Sequence, residues 1–406
     1  MRNPLARHLT VKNPQTVGAV TLAHGVNEFF SIVIPPILPL IVTDLGVSYT
    51  QGGLLLTVFF VMYSIFQLPA GIVADQVGKH RLMIGGLVLM GVGIAIAGQA
   101  SGYQMLVLGQ AVAGIGGSTF HPTGMSMISD DEDTSTHGRA MGIFGFGGAL
   151  GTLSAPLLIG GIAVVMGWQA ALVGGAFIGI GVTEILALLV SRQDPVHTGG
   201  VSHRPRLRGW SADLPRSPAI IGLFLMTLLL SAQHRAIQAF TTSYIAAGDA
   251  GSVSVGNLTF FALLVGGSVA SVIAGDLADR IDRPSMGAVT AIMTALLVVM
   301  TLGLPVLLAD THPATRTLTF AGWFAAIGAM TYASYPVKNA LIAEWASQGT
   351  SGSLFGIMQT ASAIGSALGP ALIGILADWA GIAIAFPAIA AMSALLVVMF
   401  LWLRRQ

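Results

Sequence analysis

Four polar residues, His24, Asn27, Glu28 and Ser31, interrupt an apolar stretch at i, i+3, i+4 and i+7, the spacing that puts side chains on one face of a helix. A carboxylate withdrawn from water holds its proton more tightly, and a neighbouring imidazole exchanges protons near neutral pH, so this face is suited to carrying a proton. A second imidazole, His121, precedes Pro122 in another apolar stretch, where proline removes an amide donor and loosens the helical ladder. Later in the chain the buried chemistry turns basic. Arg235 lies between His234 and Gln238, and Lys338 lies between Tyr335 and Asn339. Cations in such places suit a carboxylate, phosphate or phosphonate on a solute. Blander roles compete: a His24–Glu28 hydrogen bond inside a bundle, a His121 that satisfies a broken-helix carbonyl, and a Lys338 that snorkels to the nearby boundary or pairs with Glu344. Ionisable groups are costly in hydrocarbon, which tips the balance toward function.

Nothing here reads as an enzyme. The chain has no Cys, and His24 and His121 have no third metal ligand nearby in sequence, so no catalytic residue, metal or cofactor is assigned. A Gly-x-x-x-x-Gly-Lys-Ser/Thr phosphate loop is also missing, which argues against ATP hydrolysis. A net charge of +1 without a strongly basic segment argues against a nucleic-acid partner.

The elements that position these residues follow from composition. Of 406 residues, 54% are hydrophobic and 9% charged, against about 25% charged in soluble domains. This is the composition of a chain that crosses a bilayer many times. A span needs about 20 mostly apolar residues, and twelve are read: 16–43, 50–74, 81–100, 103–128, 139–165, 168–190, 218–246, 253–278, 284–308, 316–343, 351–377 and 379–403. The first is too long for a signal-peptide core and is read as retained. Residues 191–217 form a polar stretch with Arg192, Arg204, Arg206, Arg208 and Arg216, read as a flexible linker between six-helix bundles at 1–190 and 218–406. With both termini inside, fifteen of the 18 Lys and Arg fall on the cytoplasmic side, Arg316 alone falls outside, and Arg235 and Lys338 stay within spans. That bias sets the expected orientation. Glu184 in span six is read as interfacial, and Pro35, Pro36 and Pro39 as bending the outer part of span one.

The halves repeat each other. Gly71-Ile-Val-Ala-Asp75-Gln-Val-Gly78-Lys79-His80-Arg81 is echoed by Gly275-Asp-Leu-Ala-Asp279-Arg280-Ile-Asp-Arg283, each expected as a tight polar loop at the membrane boundary. Phe120-His121-Pro122 matches Ser334-Tyr335-Pro336, and His24 and Phe30 match His234 and Phe240. Because Tyr335 replaces His121, proton chemistry is expected in the N-terminal half. Parallel six-helix repeats with a midplane solute site are a known plan of secondary transporters.

These residues resemble the major facilitator superfamily across nearly the whole chain. Gly71 to Arg81 is similar to its loop 2–3 signature, and Gly147 to Pro156 to a glycine-rich stretch of exporters. Ala23 to Glu28, Gly114 to Pro122 and His137 to Ala140 resemble the fosmidomycin-resistance branch and its relatives. The resemblance implies an all-α membrane protein of twelve transmembrane helices in two pseudo-symmetric bundles, with rocker-switch alternating access and drug efflux driven by proton entry. In one departure, the family's Arg-x-x-x-Gly in span four is Gln110-Ala-Val-Ala-Gly114 here. An amide cannot hold an anion or modulate a carboxylate as Arg does.

The expectation is therefore a secondary transporter, a monomer in a bacterial inner membrane, whose partners are a small organic solute, protons and the lipid bilayer. Glu28, His24 and His121 would couple protons. Asn27, Gln110, His234, Arg235, Gln238, Tyr335, Lys338 and Asn339 would bind solute. Gly71, Asp75, Gly78, Lys79, Arg81, Asp279, Arg280 and Arg283 would form a cytoplasmic latch, with Asp75 docking near Ser351 to Ser353 and Asp279 near Arg139. Proton-coupled import of an organic anion is the alternative, and a receptor or scaffold on the same fold would call for large appended sensor segments.

Overall fold

The computed structural model describes residues 11–190, 218–248, 251–345 and 351–406, so the linker assigned to 191–217 lies outside the described residues. These are helical, with one 3-10 segment and no strand among them. They form α1 (Pro14–Ser31), α2 (Leu38–Leu45), α3 (Tyr49–Val77), α4 (Lys79–Gly98), α5 (Tyr103–Gly117), α6 (Phe120–Asp131), α7 (Thr134–Met166), α8 (Trp168–Val190) and α9 (Pro218–Ala246). After these come α10 (Val253–Ala278), α11 (Arg283–Met300), α12 (Leu304–Leu307), α13 (Pro313–Trp345), α14 (Ser351–Ala380), α15 (Ile382–Ala388) and α16 (Ala390–Leu403).

Ten spans among the described residues are long and apolar enough to cross a membrane. The other two of the twelve-span reading are spans four and ten, which carry His121 and Lys338. Span four is broken at Ser118 and Thr119 between α5 and α6, and span ten, within α13, has its apolar run diluted by Thr331, Tyr332, Ser334, Tyr335 and Lys338. Span one is interrupted too, by a 3-10 turn at Pro35–Ile37 between α1 and α2, as consecutive prolines dictate. The first echoed phrase is not the tight loop expected, whereas the second turns at Asp279 to Asp282. Gly71 to Val77 continues α3 and Gly275 to Ala278 continues α10. The break between α3 and α4 is Gly78 alone, at φ +91°, a value that favours glycine.

The chain forms two compact units. Among the described residues the first comprises 11–37 and 58–190, the second 38–57, 218–248, 251–345 and 351–406. Within the first unit α1 packs on α7, α4 on α5 and on α8; within the second α9 packs on α14, and α11 on α13 and on α16. These are the same pairings, span for span.

Acidic residues anchor the start of the first unit. Glu132 accepts hydrogen bonds from the backbone N–H of Lys12 and Asn13 at 2.9 and 2.8 Å, and Asp131 accepts from the Thr16 hydroxyl at 2.5 Å. Burial alone would raise the Glu132 carboxyl, but these hydrogen bonds, one from Thr136 and the Lys12 charge outweigh it and hold it below the ordinary range. Asn13 caps α1 through Thr16 N.

In the second unit a carboxylate caps the start of α3. Asp378, on α14, accepts from the backbone N–H of Tyr49 at 2.7 Å and Thr50 at 3.0 Å, and Thr57 donates to the Ala367 carbonyl at 2.5 Å. A negative charge on unsatisfied amides at a helix start is favourable.

Candidate functional site

In the first unit Glu28 stands between two imidazoles. Its Oε1 lies 3.7 Å from His24 Nε2 and 4.0 Å from His121 Nε2, and accepts from Asn27 Nδ2 at 3.2 Å. The i, i+4 spacing on α1 brings His24 to Glu28; the break before α6 brings His121, whose Pro122 falls in the first turn of that helix, where no intrahelical donor is needed. His24 is buried, its ring stacked 3.9 Å from Phe144 and 5.2 Å from Phe120. Gly148 makes room for it, since a Cβ there would lie 2.4 Å from His24 Cε1.

The protonation logic follows from one contact. His24 Nδ1 is 2.8 Å from the Phe144 carbonyl, which can only accept, so Nδ1 carries the hydrogen. Nε2, facing Glu28, then gains a hydrogen only by forming an imidazolium. A proton between His24 and Glu28 is thus an added proton, on the ring or on the carboxyl. The expectation that His24 and His121 lack a third ligand is corrected by the tertiary structure, because Glu28 brings the ligand atoms of all three within 4.8 Å of one another. That spacing would also admit a divalent cation. With Nδ1 committed to the Phe144 carbonyl, the Nε2 lone pair of His24 is open to either.

The second unit holds the basic counterpart. Arg235 Nη1 donates to Gln238 Oε1 at 2.8 Å, and Gln238 Nε2 donates to the Tyr332 hydroxyl at 2.7 Å. The His234 ring lies edge-on to Tyr332 at 4.4 Å and to Tyr335 at 4.9 Å, and Lys338 Nζ stands 4.8 Å from the Tyr335 ring centroid. Lys338 is 6% exposed, so it does not snorkel. Glu344 binds Arg283 at 2.9 Å instead. Asn339 is exposed rather than packed beside Lys338.

The repeat gives the two sites one geometry. His24 and His121 meet edge-on at 5.5 Å, as their counterparts His234 and Tyr335 do at 4.9 Å. The register that matches His24 and Phe30 with His234 and Phe240 sets Glu28 against Gln238. One site keeps the carboxylate; the other replaces it with an amide and adds cations.

Other candidates are placed as follows. Asn27 and Gln110 are buried in the first unit, with Asn27 Oδ1 and Gln110 Nε2 lacking a hydrogen-bond partner among the described residues. Gly71 is part-buried within α3, Asp75 and Arg81 are exposed, and Lys79 pairs with Asp130. Asp279 lies 3.7 Å from Arg283, and Arg280 pairs with Asp276 at 2.8 Å. The Ser351 to Ser353 side chains proposed to receive Asp75 lie outside the described ones. Glu184 is exposed. Sequence reasoning missed Tyr332 and Asp378. The second had a signal: Gly374-Ile-Leu-Ala-Asp378 is a further copy of Gly71-Ile-Val-Ala-Asp75.

Comparisons with known proteins agree with this architecture. The family profile described as Major Facilitator Superfamily matches residues 20–306 and 223–406. The chain is 36% identical over 143 residues to a probable L-galactonate transporter of Escherichia coli K12, a match covering 35% of this chain and 30% of the relative. It is 25% identical over 272 residues to the fosmidomycin resistance protein of the same organism, covering 66% of each. The structure of a bacterial homologue of the human lysosomal transporter Spinster superimposes with a TM-score of 0.79 at 17% identity, over 97% of this chain and 98% of that one, a likeness of fold.

Proposed function

Because this chain belongs to the Major Facilitator Superfamily, a family of membrane transporters and not of enzymes, we propose that it is a proton-coupled secondary transporter of a small organic solute. The observation that carries the reading is Glu28 held between His24 and His121, with the His24 tautomer fixed by the Phe144 carbonyl. Proton entry to this triad neutralises the half-buried Glu28 carboxylate or charges an imidazole beside it. Either change alters the cost of burying the site, and so biases one conformation over another.

Efflux is the proposed direction. It is supported by the likeness to a fosmidomycin resistance protein and by the glycine-rich Gly147 to Pro156. The proposed solute groups are Asn27 and Gln110 in the first unit and His234, Arg235, Gln238, Tyr335 and Lys338 in the second, without the exposed Asn339. Asp75 and Asp279, with their neighbouring basic residues, are proposed to latch the cytoplasmic side. The proposed setting is a monomer in a bacterial inner membrane with both termini cytoplasmic, in keeping with the arginine bias.

The test is flux in proteoliposomes of the full chain under an imposed pH gradient. The parent is expected to acidify or alkalinise the lumen in step with solute movement. Glu28→Gln is expected to lose gradient-driven flux by at least about tenfold while keeping solute exchange at equal pH, since a fixed neutral amide removes the proton and not the path. Gradient-driven flux equal to the parent's would sink the coupling reading.

A further inference from the structure

We infer that the solute is an organic anion, recognised in the second unit by Lys338 and His234 through a carboxylate or phosphonate head group. The inference rests on the transport reading above and adds the chemical class of the cargo. Lys338 is buried, and its ammonium stands over the face of Tyr335. No carboxylate among the described residues lies within ion-pair distance of it. The sequence explains why. Helices α9, α11, α15 and α16 contain no Asp or Glu; Asp276 ends α10, Glu344 ends α13 and Asp378 ends α14. Glu344 and Asp276 are already held by Arg283 and Arg280, and Asp378 by the α3 amides.

A buried ammonium without a counter-charge is strongly unfavourable, and a ring face returns only a fraction of the lost hydration. A second group points the same way. His234 Nδ1 is buried without a hydrogen-bond partner among the described residues, on a ring packed against the same Tyr335. An acidic head group supplies what both lack, a negative charge for Lys338 and an acceptor for the imidazole N–H. Arg235, oriented by Gln238 and through it by Tyr332, adds positive potential to the site. The pseudo-equivalent positions explain the contrast with the first unit, since Gly25 and Gly124 stand where Arg235 and Lys338 stand in the second. The two copies thus differ in charge at matched positions, one carrying a carboxylate and the other cations.

Matched probes decide it by ligand-induced thermal stabilisation of the purified full chain. The panel consists of benzoate, benzamide and benzylamine; gluconate, glucose and glucosamine; and phenylphosphonate with its neutral diethyl ester. At least one anion is expected to stabilise the parent saturably while its neutral and cationic partners do not. Lys338→Met is expected to raise the half-saturating concentration of that anion by about tenfold or more, and Lys338→Arg to recover most of the loss. Stabilisation by neutral or cationic members, an anion response unchanged in a monodisperse Lys338→Met, or no response to any anion overturns the inference. Should Lys338→Met fail to fold, the anion-against-neutral comparison on the parent alone decides between these outcomes. The two readings fail separately: gradient-driven flux in Glu28→Gln bears on proton coupling alone, whereas the anion-against-neutral comparison on the parent bears on this inference alone.

Discussion

His24 does two things at once, and both depend on its neighbours. The Phe144 carbonyl fixes which nitrogen carries hydrogen, and stacking between Phe144 and Phe120 fixes the ring plane. Gly148 is therefore a positioning residue for the proposed proton site. Gly148→Ala places a methyl group 2.4 Å from the ring, and overpacking of this kind costs about 1–3 kcal/mol. The expected outcome is a lower melting temperature together with a shifted pH profile of transport, whereas Gly142→Ala, with open space around it, leaves both unchanged. The i, i+4 relation of His24 to Glu28 was legible in the sequence because a helix fixes it. The arrival of His121 on the same carboxylate was not, since it depends on how α6 turns after the break at Ser118 and Thr119.

Helix ends carry the next layer of the design. Asp378 on the first amides of α3 is a capping contact made across the chain, and the charge adds about 0.3–1 kcal/mol to such a cap at an exposed end. In Asp378→Asn, hydrogen exchange at the Tyr49 and Thr50 amides is expected to speed up by roughly two- to fivefold, with amides in α11 unchanged. Equal exchange in parent and variant would show that the charge contributes nothing. The apolar runs located the helices; they did not show that Gly71 to Val77 would stay helical. A polar residue at a helix end has the same hydropathy whether it continues the helix or leaves it, and only the positive φ at Gly78 ends α3.

The duplicated plan extends to the whole chain. The same span pairings recur in both units, and the same ring pair, His24–His121 and His234–Tyr335, sits in both with different charge around it. Orientation can be checked directly, because the parent has no Cys. In intact cells an impermeant maleimide is expected to label Asp310→Cys and to spare Gln76→Cys until the membrane is opened, and the reverse pattern would invert the topology. Composition, hydropathy runs, the arginine bias and the echoed phrases determined by themselves that the chain crosses the membrane, that it is built twice, and which ionisable residues lie inside its spans. Those properties are local or summed along the chain. Only the tertiary structure decided that Glu28 serves two imidazoles and that Lys338 is buried away from Glu344. In spans apolar on every side, helix rotation and partner choice are set by small-residue packing between helices, a pairwise property that no single stretch of sequence contains.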